Sequence, residues 1–122
     1  MIHPNSTRTR HFLAIAEFFI RIGQPRTYIV EPDLNCEYYR PDVYMEWGEA
    51  KEHIIIEVQL THISTKKMQQ KVDNWVKSYK EKRHYAKKMW IVSDNLYHLT
   101  APAGFEVEYH KWHLDKEKEI VL

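Results

Sequence analysis

A chain of 122 residues, 43% hydrophobic and 13% aromatic, can bury one core, and a single domain over residues 1–122 is expected. That composition excludes disorder as the general state, and no apolar run approaches the roughly eighteen residues that cross a bilayer. With 18 Lys and Arg against 17 Asp and Glu, the net charge of +1 does not mark a nucleic-acid binder, so only the distribution of charge can.

Residues 1–7 read as a polar arm, with Ser6 or Thr7 as an N-cap. From about Arg8 to Ile22, the residues Phe12, Ile15, Ala16 and Phe19 fall at helical spacing, and Gly23 followed by Pro25 ends the segment. Glu17 stands four residues before Arg21, the spacing of a solvated helix pair. Tyr28 to Val30 is a short strand. The lone Cys36 excludes an internal disulfide and has no catalytic pattern around it. The N-terminus has no apolar signal region, so a cytoplasmic protein is expected.

Pro41 suits the beginning or edge of a strand, and Val43, Met45 and Trp47 then alternate with Asp42, Tyr44 and Glu46. Gly48 and its polar neighbours form a hairpin turn. In the returning strand, His53 to Thr61, alternation puts Ile54, Ile56, Val58 and Leu60 on one face and Glu57 and Gln59 on the other. The hairpin therefore brings Asp42 beside Glu57.

Thr61 to Thr65 is a turn capped by Ser64 or Thr65. Met68, Val72, Trp75, Val76 and Tyr79 then repeat as the strongest helical stripe in the chain. Between Lys66 and Lys88 nine Lys or Arg meet two acids, a long basic helix that either contacts phosphates or is a solvated face. Met89 to Val92 reads as a buried strand and Phe105 to Leu114 as an outer strand with one wet face. The histidines lack a zinc-site spacing, His62 reads as a turn residue, and no glycine-rich phosphate loop occurs.

Two carboxylates on neighbouring strands suit a hard divalent cation such as Mg²⁺, with Mn²⁺ as a substitute, because such ions take oxygen ligands and complete their shells with water and phosphate. Pro41-Asp42, a hairpin, then Glu57-Val58-Gln59 after a β-branched run resembles the PD-(D/E)xK nuclease superfamily, with Gln59 where the family usually carries Lys. The resemblance implies an α/β fold with a restriction endonuclease-like core: a central mixed β-sheet flanked by an N-terminal helix and the long basic helix. It implies a Mg²⁺-dependent endodeoxyribonuclease that works as a homodimer, with Asp42, Glu57 and the Val58 carbonyl holding the ion and Gln59 orienting the nucleophile. Arg40, Lys66, Lys67 and Lys71 would contact DNA. Lys71, on the edge of the buried stripe, is expected to replace the missing charge by packing its stem and reaching its ammonium toward the sheet. The alternative is a catalytically degenerate DNA-binding or accessory subunit in plasmid or phage DNA processing.

Overall fold

The computed structural model describes residues 7–112. Its elements in order are α1 (Thr7–Arg21), β1 (Thr27–Val30), β2 (Val43–Trp47), β3 (Glu52–Val58), α2 (Thr65–Lys80), β4 (Lys88–Val92) and β5 (Glu106–His110). The strands form one mixed sheet in sequence order, antiparallel from β1 to β3 and parallel from β3 to β5. This is the α/β architecture with two helices that the sequence pattern implies. No helix among the described residues is long and apolar enough to cross a membrane.

Alternation along the strands builds two cores. Val43, Met45, Ile54, Ile56, Val58, Trp90 and Val92 face α1, packing with Ala14, Ile15 and Phe18. Ile55, Met89 and Ile91 face the other way, under Met68, Val72, Trp75 and Val76 of α2. The central strands are thus covered on both sides, which is why β3 reads as a continuous apolar run rather than a half-wet strand. The β2–β3 turn carries Gly48 and Lys51 in the left-handed region, at φ +74° and +51°, and the Lys51 N–H donates to the Gly48 carbonyl. Its register pairs Val43 with Ile56 and Trp47 with Glu52. One step beyond Val43, Asp42 therefore stands across from Glu57.

Three expectations are corrected by the structure. On α1 the buried side is Ala14, Ile15 and Phe18, with Phe12 and Phe19 only half-buried and Ala16 exposed. The helix is apolar almost all round, so a 3.6-residue period does not single out one stripe: of the expected Phe12, Ile15, Ala16 and Phe19, Ile15 is in the core, Phe12 packs at its margin and Phe19 meets Tyr28, while Ala16 is exposed. The basic segment is not one long helix: α2 ends at Lys80, Glu81 caps it, and Lys82 turns left-handed at φ +61°. The apolar stripe runs out at Tyr79, and the stretch after it buries only His84 and Ala86, two residues apart rather than at helical spacing. Lys88 falls inside β4, between Glu52 at 3.1 Å and Glu106 at 3.6 Å. The last strand stops at His110, short of the expected Leu114; His113 and Leu114, like residues 1–6 of the polar arm, lie outside the described residues, and Thr7 is the first residue of α1.

Candidate active site

The end of the sheet where β3 stops gathers most of the chemistry-bearing residues. Asp42, just ahead of β2, accepts the Val58 backbone N–H on Oδ2 at 2.7 Å, so its side chain caps the end of β3. Its other oxygen, Oδ1, lies 3.0 Å from Nε2 of His11 on α1. Glu57 is buried, and its Oε1 accepts a 3.0 Å hydrogen bond from the Tyr39 hydroxyl. Burial and the charge of Glu57 push the Tyr39 phenol well up, which keeps it a donor to the carboxylate.

Burial, and then the charge of Asp42, push the Glu57 carboxyl up to about 8; Lys71 and the Tyr39 hydroxyl pull the other way. A buried acid so shifted beside a second acid is a pair whose repulsion a cation would relieve. Among the described residues no group of three or more His, Cys, Asp or Glu side chains is arranged to hold a metal. A two-carboxylate site fits Mg²⁺ or Mn²⁺, which keep water and take phosphate oxygens, and does not fit zinc.

Gln59 continues the strand, its N–H donating to the Val92 carbonyl at 2.9 Å. Its side chain is buried, and Nε2 donates to the Thr61 carbonyl at 2.8 Å, which fixes the amide so that Oε1 points away from the turn. That oxygen accepts from Lys71 Nζ at 3.1 Å. The ammonium of α2 thus reaches the end of β3 at Gln59.

Asp42, Glu57, Val58, Gln59 and Lys71 are brought together. Lys66 and Lys67, exposed in the first turn of α2, and Arg40, exposed two residues before Asp42, are near it in sequence but touch none of the carboxylates. The Ser64 hydroxyl caps this helix, accepting from the Lys67 N–H at 3.1 Å. Glu17 stays outside, on the wall of a shallow hollow with Arg10, Leu13 and Trp112. His62 stacks on Tyr97 in the turn after β3. Cys36 is half-buried at the edge of the α2 core.

Two contributors escape a reading by pattern, His11 and Tyr39. His11 is spaced four and seven residues from Ile15 and Phe18, so it heads the stripe that does pack. Placing the stripe on Phe12, Ile15, Ala16 and Phe19 leaves it out. Tyr39 precedes Asp42 by three residues in an irregular segment, where periodicity carries no information.

The family model described as Competence protein CoiA, nuclease-like domain, matches residues 15–120. No curated protein and no solved structure matches the chain.

Proposed function

The chain belongs to the family of the nuclease-like domain of competence protein CoiA, and from that premise we propose that it is an endodeoxyribonuclease dependent on Mg²⁺ or Mn²⁺, with a restriction endonuclease-like core. Asp42 and Glu57, with the Val58 carbonyl, would hold the ion. The ion, when bound, supplies a Lewis acid for the phosphoryl oxygen and a water acidified for attack.

The remaining work falls to the chain's own residues. Glu57, whose carboxyl is held up by burial and by Asp42, would have to release its proton to solvent to serve as a ligand. Tyr39 keeps that carboxylate oriented. Lys71 puts a positive charge beside the strand position of Gln59, where negative charge grows on the phosphate during attack. Lys66, Lys67 and Arg40 bind the flanking phosphates. The observation that carries this reading is the 3.1 Å contact of Lys71 with Gln59: a module that had merely lost its lysine would have no reason to bring another to the same place.

The test is cleavage of supercoiled, linear duplex and single-stranded DNA with Mg²⁺ or Mn²⁺. Endonucleolytic products that vanish in chelator and in Asp42→Ala are expected. Metal-independent DNA binding without cleavage under any condition would instead make the chain an accessory DNA-binding subunit.

A further inference from the structure

Asp42 is held at both oxygens by groups from opposite directions: Oδ2 by the Val58 N–H at 2.7 Å and Oδ1 by His11 Nε2 at 3.0 Å. A carboxylate offers about four acceptor sites, so one donor on each oxygen fixes the plane and still leaves lone-pair capacity toward Glu57 and a cation. Glu57 accepts the Tyr39 hydroxyl on Oε1 and shares a side-chain hydrogen bond with Asp42 itself. The backbone donor comes with the sheet register and cannot be lost without the strand. His11 is different, because it arrives from α1, on the layer opposite Lys71, and nothing in the register demands it.

We propose that His11 is a positioning residue that presets the Asp42 carboxylate for metal binding. This rests on the reading of Asp42 and Glu57 as a metal site. A packing role alone explains the ring less well. The imidazole is partly open to solvent, with 28% of its side chain exposed, while its nitrogen is spent on the carboxylate, and its ring meets Phe12 edge-on at 5.8 Å. His11 lies ahead of the residues matched by the family model, so the match assigns it nothing. With Asp42 accepting, Nε2 carries the proton in this contact and Nδ1 is left to solvent or substrate. Groups that orient a metal ligand in this manner typically govern about 10- to 100-fold in metal affinity.

The experiment compares three full-length proteins, wild type, His11→Phe and His11→Gln, by calorimetric titration with Mn²⁺ in the absence of DNA. Phenylalanine keeps the ring volume without the donor; glutamine places an amide N–H at a similar reach. His11→Phe is expected to bind Mn²⁺ about tenfold more weakly or worse, and His11→Gln to return to within about threefold of wild type. Cleavage by His11→Phe is expected to recover at saturating Mn²⁺, with a raised half-saturating metal concentration and a nearly unchanged maximal rate. A depressed maximal rate at saturation would overturn the positioning role, as would equal Mn²⁺ affinity in all three proteins or a His11→Gln no better than His11→Phe. Should His11→Phe lack a cooperative melt in chelator, His11→Ala takes its place with the same expected loss. Absence of Mn²⁺ binding in the wild type strikes the metal-site reading itself, a result distinct from wild-type binding that the substitutions leave unchanged.

Discussion

Helices α1 and α2 lie on opposite faces of one sheet, and each sends a single nitrogen to the carboxylate end, His11 from the first and Lys71 from the second. They are built differently. α2 confines its apolar residues to one stripe, buries Met68, Val72, Trp75 and Val76, and is capped by Ser64. α1 is apolar around most of its circumference, and leaves Leu13 and Ile20 at 54% and 62% exposure. The contrast teaches that a functional side chain is found from sequence when the stripe beside it has one solution. Lys71 borders an unambiguous stripe; His11 heads one stripe among several.

Substitution of the packed faces tests that contrast most severely. Trp75 is fully buried with its indole N–H on the Ala86 carbonyl, and Trp75→Ala is expected to cost about 3–5 kcal/mol in chemical denaturation. Ala16, on α1 between the half-buried Phe12 and Phe19, is exposed, and Ala16→Gln is expected to stay within about 0.5 kcal/mol. A large loss at Ala16 would return the buried face of α1 to Phe12 and Phe19.

The next effect separates the carboxylates from both helices. Glu57 is raised from the unfolded value near 4.5 to about 8, so the folded protein holds its proton more tightly than the unfolded chain does. The stability from that proton is complete below the unfolded value and is lost as pH rises toward and through about 8. In chelator, wild-type stability is therefore expected to decline across this interval by on the order of a few kcal/mol relative to Glu57→Gln, which has no proton to lose. Parallel pH profiles of the two proteins by urea unfolding would remove Glu57 as the buried acid.

A smaller effect is expected from the nitrogen of α2. Lys71→Met is expected to lower single-turnover cleavage at saturating DNA by about tenfold or more, through loss of a preorganised charge. Gln59→Lys is expected to stay within about tenfold of wild type, because an ammonium already stands there. A normal rate in Lys71→Met, together with activity gained by Gln59→Lys in an inactive protein, would leave α2 as scaffold only.

The smallest effect concerns the exposed rims of the helices. Lys66→Gln and Lys67→Gln are each expected to reduce the salt slope of DNA binding by up to about one unit of log K per log salt. The same measurement on Arg8→Gln and Arg10→Gln compares the first turns of the two helices directly. A slope that moves only with the arginines would transfer the phosphate grip to α1.

Much of this arrangement could be read from residues alone because its cause is local. The period-2 run from Ile54 to Val58 and the turn at Gly48 set which acids face each other, and the Met68–Trp75 stripe set which lysine could reach them. The terminus of α2 at Lys80 was hidden behind a charge run that continues through Arg83 with no proline or glycine to punctuate it. Tyr39 was hidden because its reach to Glu57 depends on the path of an irregular segment from Glu31 to Pro41. His11 needed the packing of α1, a tertiary fact that an overly apolar helix withholds.

The hairpin register has a consequence for how this protein can change over generations. Roughly 17 Å of strand separates the Gly48 turn from Asp42, yet the turn counts the residues that make Asp42 face Glu57. A side chain alternates faces at every step, so one residue added to or removed from β2 or β3 would send Glu57 into the apolar layer under α1 and present Ile56 or Val58 to Asp42. The segment between Asp94 and Gly104 is irregular and can absorb added residues away from the buried Tyr97, whereas β2 and β3 cannot change length without moving the acids. Single-codon deletion scanning read by cell-free cleavage would show this as a silent interval beginning at Val43 and ending at Val58, broken only at the turn, where a compensating bulge can restore the count.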